Sequence, residues 1–112
     1  MVLSKVESES FNEEILESKG PIVVEFWSSE CDFCKRFDPV YKKLEENLTN
    51  EAKFVFMDVT EDQASIEIAM RCGVRAVPTL KIFYQGRIIG DVVGDLSYDK
   101  VEDKLQSILE KK

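Results

Sequence analysis

A short apolar strand followed closely by two cysteines constrains the fold of this chain more than any other feature. The run Ile22–Trp27 is apolar and β-branched apart from Glu25, which is typical of a central strand buried on both faces. Cys31 and Cys34 follow, at the point where the apolar spacing becomes helical, from Asp32 onward. The two cysteines are therefore predicted to lie where the C-terminal end of a central strand turns into a helix.

The rest of the chain alternates between helix and strand patterns. We predict a first helix from a capping-box pattern at residues 10–13 to Gly20, then a strand at 53–59 and a helix at 62–72 that is ended by Gly73. Strands at 79–84 and 87–93, joined by Gln85 and Gly86, are predicted to follow, and Ser97 is predicted to cap a last helix. A parallel β-α-β unit followed by an antiparallel hairpin predicts an α/β fold, with a central mixed sheet of four to five strands flanked by about four helices. At 112 residues, we expect a single domain over 1–112.

The residue counts exclude several classes of function. Without histidine, the chain has no serine–histidine or cysteine–histidine nucleophile pair and no histidine-ligated metal centre. The net charge of −7 would repel nucleic acid and anionic lipid, so neither is an expected partner. The first ten residues lack the apolar block of a secretory signal, and no apolar run is long enough to span a bilayer. We expect a cytoplasmic protein outside the membrane.

Over nearly its whole length the chain resembles the thioredoxin family. The residues that carry the resemblance are Val24, Glu25, Phe26, Trp27, Cys31, Asp32, Phe33, Cys34, Lys35, Pro39, Asp58, the segment 73–79, Gly86, Val93 and Gly94. The resemblance implies the thioredoxin fold and thiol–disulfide exchange with disulfide-containing proteins. It also implies an electron donor of the thioredoxin reductase type and no cofactor or metal beyond a redox-active disulfide between Cys31 and Cys34. We expect a monomer.

The positions of the two cysteines predict different roles for them. Residues three apart in a first helical turn face one another, so Cys31 and Cys34 can approach within disulfide distance. The unpaired N–H groups and the dipole at the start of a helix favour a thiolate on Cys31, whereas Cys34 lies deeper. We predict that Cys31 attacks a substrate disulfide and that Cys34 resolves the mixed disulfide.

Glu25 is the one charged residue in the central strand. It is predicted to be a buried carboxylate that accepts the proton of Cys34, directly or through water; the alternative is a strand-end glutamate that points to solvent. The family normally has aspartate here, and its usual lysine on the adjacent strand aligns with Phe56. Glu25 is therefore expected to lack a cationic partner, which would raise its pKa further.

A second set of residues is predicted to bind the substrate. Val77 and Pro78 match the cis-proline loop of the family, which faces the cysteines and pairs with an extended substrate segment. Trp27, Val77, Val93 and Gly94 are expected to form an apolar rim around it. The alternatives are a trans proline that begins a strand and a tryptophan that belongs to the core.

Three residues near the nucleophile depart from the family pattern. The family has Gly-Pro between its cysteines and tryptophan before them, whereas this chain has Asp32 and Phe33 between them and Glu30 before them. The carboxylates of Glu30 and Asp32 disfavour a thiolate on Cys31 and so make the protein more reducing. Phe33 restores a backbone N–H that can bond the thiolate, which has the opposite effect. The two effects on the redox potential are similar in size, so the sequence does not fix its direction.

Two other functions fit the same pattern. The two cysteines could hold zinc or an iron–sulfur cluster between two chains, or the protein could be a disulfide oxidase or isomerase on the same fold. The third cysteine, Cys72, is expected to be a small buried side chain, and a regulatory modification is the alternative.

Overall fold

The computed structural model describes residues 3–112, and its sheet is built around the strand that precedes the two cysteines. In chain order the elements are β1 (Ser4–Lys5), a 3-10 helix (Ser8–Ser10), a π-helical turn (Asn12–Leu16), β2 (Ile22–Trp27), α1 (Asp32–Leu48), β3 (Lys53–Asp58), α2 (Gln63–Arg71), β4 (Thr79–Tyr84), β5 (Arg87–Val93) and α3 (Tyr98–Glu110). The strand order is β1-β3-β2-β4-β5. β2 pairs in parallel with β3 and antiparallel with β4, so the predicted mixed sheet is confirmed.

Each face of the sheet carries its own core, because side chains alternate along β2. Val23 points to one face, where it packs with Phe37 of α1 and Leu105 of α3. Val24 and Phe26 point to the other face, into a second cluster of buried side chains. Since Glu25 lies two residues after Val23, its side chain is on the face that α1 covers.

Local sequence signals fix the ends of α2 and the β4–β5 hairpin as predicted. Oδ1 of Asp62 accepts a hydrogen bond from the backbone N–H of Ser65 at 2.7 Å, so Asp62 caps α2. Gly73 follows the helix with a φ of 78°, the left-handed conformation of a C′ glycine. Gln85 and Gly86 also have positive φ, at 51° and 84°, as a two-residue turn between twisted strands requires.

The prediction of a capped first helix is wrong. The segment forms a 3-10 helix and a π-helical turn instead, and the hydroxyl of Ser10 contacts the Glu14 carboxylate at 2.6 Å without capping a backbone N–H. Ser10 ends the 3-10 helix, and Phe11 after it is already in the right-handed helical region. The extended N-cap conformation belongs instead to Glu7, three residues before Ser10, and the Glu7 side chain caps no backbone N–H. The winding places Phe11 and Ile15 in the core together. The two-residue strand β1, at the sheet edge, was not predicted.

Tyr41 links α1 to the two central parallel strands. Its side chain is fully buried, and its hydroxyl lies 3.1 Å from the carbonyl oxygen of Val23 on β2 and 2.6 Å from that of Val55 on β3. One hydroxyl proton is thus shared between two carbonyl acceptors on neighbouring strands. The contact holds α1 in place above the strand that leads to the cysteines.

We expect Tyr41→Phe to lower the free energy of unfolding by about 1–2 kcal/mol, because two buried carbonyl groups lose their common donor. Urea unfolding measures the change. Tyr98→Phe is the matched control, since that hydroxyl bonds Asn47 and Glu102 near the surface. The control should lose less than about 0.5 kcal/mol. Equal losses in the two variants would contradict the role assigned to Tyr41.

Candidate active site

The start of α1 places Cys31 and Cys34 in different environments. Cys31 is the N-cap residue, with extended φ and ψ of −100° and 112°, and its sulfur accepts a hydrogen bond from the backbone N–H of Cys34 at 3.1 Å. The Cys31 side chain is partly exposed, whereas Cys34 is 1% exposed. A helix N-terminus stabilises negative charge on a capping atom, so the arrangement suits an accessible thiolate at Cys31.

The N-cap geometry corrects one expectation about Phe33. The amide that bonds the Cys31 sulfur belongs to Cys34, and no bond from the Phe33 amide to this sulfur is found among the described residues. The reason is that an N-cap side chain reaches the amide three positions on, and Cys34 is that residue. The Phe33 ring is 36% exposed, and the guanidinium of Arg36 lies 5.7 Å from its centroid. Glu30 and Asp32, on either side of Cys31 in the chain, are both exposed.

Burial controls the protonation of the inner cysteine. The pKa of Cys34 is raised to about 12, chiefly because burial disfavours the thiolate, and its hydrogen bond with Cys31 acts in the same direction. Cys34 therefore holds its proton at neutral pH. An acceptor for that proton is needed before Cys34 can act as a nucleophile.

Glu25 is buried beneath the cysteines, on the side of the sheet that α1 covers. It is 4% exposed, and its neighbours on the adjacent strands are Phe56 of β3 and Leu80 of β4, both apolar. Burial raises the pKa of Glu25 from an ordinary 4.5 to about 8, and repulsion from the Asp38 carboxylate acts in the same direction. Within residues 3–112 no direct hydrogen bond joins Glu25 to Cys34, although the charge of Glu25 helps to raise the pKa of this thiol.

The loop before β4 faces the nucleophile. The Val77–Pro78 peptide bond is cis, in agreement with the resemblance. The carbonyl oxygen of Val77 lies 3.8 Å from the Cys31 sulfur, and the carbonyl oxygen of Pro78 accepts a hydrogen bond from the backbone N–H of Gly94 at 2.8 Å. The structure therefore brings the loop, the end of β5 and the nucleophile together, as predicted.

The predicted apolar rim has one strongly exposed member. Val93 is 64% exposed, directly before Gly94. Trp27 is partly buried and packs edge-on against Phe56, with ring centroids 5.7 Å apart. Its indole N–H is buried without a hydrogen-bond partner among the described residues. Trp27 thus combines features of the core and of the rim.

Sequence reasoning missed Asp38, the carboxylate whose negative charge raises the pKa of Glu25. Asp38 lies four residues after Cys34, one helical turn further along α1, and it forms an ion pair with Lys42 at 2.9 Å. The spacing of four from a buried cysteine is the signal that could have identified it.

No group of three or more histidine, cysteine, aspartate or glutamate side chains in residues 3–112 is arranged to hold a metal ion. In the same part of the chain, no helix combines the length and apolar character needed to cross a membrane.

The fold is a mixed sheet with helices on both faces, and the helix after its central strand is capped by one cysteine and carries a second in its first turn. This arrangement defines a class of thiol–disulfide oxidoreductases. The family model described as Thioredoxin matches residues 2–107. The chain belongs to the thioredoxin family, and it is a thiol–disulfide oxidoreductase.

Curated relatives agree with this assignment. The chain is 32% identical to thioredoxin of Bacillus subtilis over 111 residues, which is 99% of this chain and 98% of that protein. It is 32% identical to thioredoxin 1 of Synechococcus elongatus over 83% of this chain and 84% of that protein. It is 30% identical to thioredoxin of Porphyra purpurea over 97% of this chain and 99% of that protein.

We expect Gly94→Ala to slow disulfide reduction about tenfold. A Cβ at this position would lie 2.5 Å from Cγ of Pro78, so the loop that faces Cys31 must move. Gly20→Ala is the control, because a Cβ there meets nothing within 4 Å. Rates measured with a small aryl disulfide and with a protein disulfide separate the effects on chemistry and docking. Full activity of Gly94→Ala on both substrates would contradict this account of the loop.

Glu25 should also make the stability of the protein depend on pH. Below its unfolded pKa of about 4.5 both states carry the proton, but between pH 4.5 and 8 the folded state alone retains it. The free energy of unfolding should therefore fall as pH rises through this window, by roughly 3–5 kcal/mol from this group. Urea unfolding from pH 5 to 9 should show the fall in wild type and in Glu46→Gln, and much less of it in Glu25→Gln. The same fall in all three proteins would refute the buried, protonated Glu25.

Proposed function

We propose that this protein reduces disulfide bonds in other proteins by dithiol–disulfide exchange through Cys31 and Cys34. The observation that carries the proposal is the asymmetry of the pair at the start of α1. The Cys31 sulfur is partly exposed and accepts the Cys34 N–H at 3.1 Å, whereas Cys34 is 1% exposed. One sulfur is thus suited to meet a substrate, and the other is suited to act after the substrate has bound.

In the first step the Cys31 thiolate attacks one sulfur of the substrate disulfide. A bond forms between Cys31 and that sulfur, and the second substrate sulfur leaves as a thiolate. The hydrogen bond from Cys34 N–H and the N-terminal end of α1 stabilise the attacking charge. The carboxylates of Glu30 and Asp32 destabilise this negative charge, so these two residues adjust the redox potential of the dithiol.

In the second step Cys34 loses its proton and attacks the Cys31 sulfur. The disulfide between Cys31 and Cys34 forms, the bond between Cys31 and the first substrate sulfur breaks, and that sulfur leaves as a thiolate. Glu25 is the proton acceptor in the proposal, because it is the carboxylate buried on the face of β2 that α1 covers. At pH 7, one unit below a pKa of about 8, about one Glu25 in ten is ionised and able to accept.

Substrate binding is proposed for the loop and rim around Cys31. Backbone groups at Val77, next to Pro78, would pair with an extended substrate segment, since the Val77 carbonyl faces the nucleophile at 3.8 Å. Val93 offers an exposed apolar contact beside this edge, and Gly94 keeps the approach open. Trp27 forms the partly buried side of the rim, where its ring packs against Phe56.

The proposed cycle needs no bound cofactor besides the disulfide itself. Each turnover leaves Cys31 and Cys34 oxidised, so a separate reductase of the thioredoxin reductase type must return two electrons to them. The protein partners are therefore of two kinds, disulfide-containing substrates and this electron donor.

Single-cysteine variants test the proposal in an insulin reduction assay. Cys31→Ser should lose all reductase activity, because the nucleophile is absent. Cys34→Ser should still attack and should accumulate mixed disulfides with substrate, because resolution is absent. Cys72→Ser is the matched control and should remain active, since this thiol is partly buried at the C-terminal end of α2. Activity in Cys31→Ser, or stoichiometric zinc or iron in anaerobically purified protein, would overturn the proposal.

A further inference from the structure

Glu25 is enclosed by apolar side chains in every direction within the sheet. Val23 and Trp27 lie two residues before and after it on the same face of β2, and Phe56 and Leu80 are its neighbours on β3 and β4. None of these four side chains can accept a proton from a carboxylic acid. A proton that Glu25 takes from Cys34 must therefore leave on the side of α1.

The groups that α1 directs toward this face differ in their ability to carry a proton. Cys34 is the proton source in the proposed function, and the Tyr41 hydroxyl is already shared between the carbonyl oxygens of Val23 and Val55. Glu45 is buried, but it lies one turn beyond Tyr41, away from the cysteines. α3 adds the apolar side chains of Val101 and Leu105 to this core. Asp38 is the remaining titratable group.

Asp38 combines closeness in the helix to the buried cysteine with exposure to solvent. It is one turn after Cys34 on α1, its side chain is 48% exposed, and Lys42 pairs with it one turn further out at 2.9 Å. Cys34, Asp38 and Lys42 thus follow one another at one-turn intervals along α1, from the buried Cys34 thiol to the surface. Asp38 is also the charge that acts on Glu25 most directly.

We propose that Asp38 is the outer carboxylate of a two-carboxylate relay, through which the proton that Glu25 takes from Cys34 reaches solvent. This inference rests on the proposed function. The proton moves from the Cys34 thiol to the Glu25 carboxylate, and then by way of water at the exposed part of Asp38 to that carboxylate and to bulk solvent. No electrons move in these transfers, and Glu25 returns to its ionised form for the next turnover. Asp38 is a positioning residue, since it touches neither sulfur nor substrate.

Release of two aryl thiolates from a bis(nitrobenzoate) disulfide tests the relay in the intact protein. Attack by Cys31 releases the first coloured aryl thiolate, and attack by Cys34 on the mixed disulfide releases the second. The rate of the second release should rise with pH in wild type and reach a plateau above the pKa of Glu25. In Asp38→Asn the midpoint should move to lower pH, because a like charge near Glu25 is removed, while the plateau should fall at least threefold.

Three further proteins make the result specific to a relay. Asp38→Glu should restore the plateau, and millimolar imidazole should restore it in Asp38→Asn by carrying the proton instead. Lys42→Met should move the midpoint to higher pH, because it leaves the Asp38 charge uncompensated, with little effect on the plateau. Glu46→Gln, which removes an exposed charge from the same helix, should behave as wild type.

The outcomes separate this inference from the proposed function. If Asp38→Asn keeps the wild-type plateau, or shows no shift of the midpoint, the relay is refuted while resolution by Cys34 stands. If wild type releases a single aryl thiolate per chain, the proposed function itself fails. Carboxyl NMR titration of Glu25 in wild type and Asp38→Asn checks the coupling of the two carboxylates without any substrate, and an unchanged Glu25 pKa would also refute it.

Discussion

The structure depends on the register of β2, which is hydrogen-bonded on both edges and buried on both faces. A slip of one residue would turn Val24 and Phe26 toward α1 and place Glu25 in the opposite apolar core, where no carboxylate belongs. The register therefore fixes which face the carboxylate occupies. It also fixes where β2 ends, and so where Cys31 can begin α1. The dithiol and the carboxylate are placed together by one packing constraint.

Much of the fold follows from local sequence signals. The apolar run of β2, the Asp62 cap and Gly73 around α2, and the turn at Gln85 and Gly86 each carry their own physical reason, and the structure confirms them. The N-terminal segment differs because its conformation is set by long-range packing. Phe11 reaches Phe83 on β4, with ring centroids 5.8 Å apart, and this contact outweighs the local capping pattern.

Part of the candidate site could be predicted, because some of its residues stand at recognisable positions in the sequence. Cys31, Cys34 and Glu25 are identified by the strand and the motif, and Pro78 by the family resemblance. Asp38 is marked by its spacing of four from Cys34, but its effect on Glu25 depends on how α1 packs against β2, which that spacing does not fix. The same holds for the Trp27 indole, whose neighbours are decided by the packing of β3.

The contact between Gly94 and Pro78 divides the rim into a part that can vary and a part that cannot. Position 94 excludes every side chain, since even a methyl group would meet the proline ring at 2.5 Å. Position 93, beside it, is 64% exposed. Evolution can therefore alter the chemistry offered to partners at position 93 while the alignment of the loop with Cys31 stays unchanged. Substitutions at position 93 can therefore change which partners bind without disturbing the redox-active cysteines.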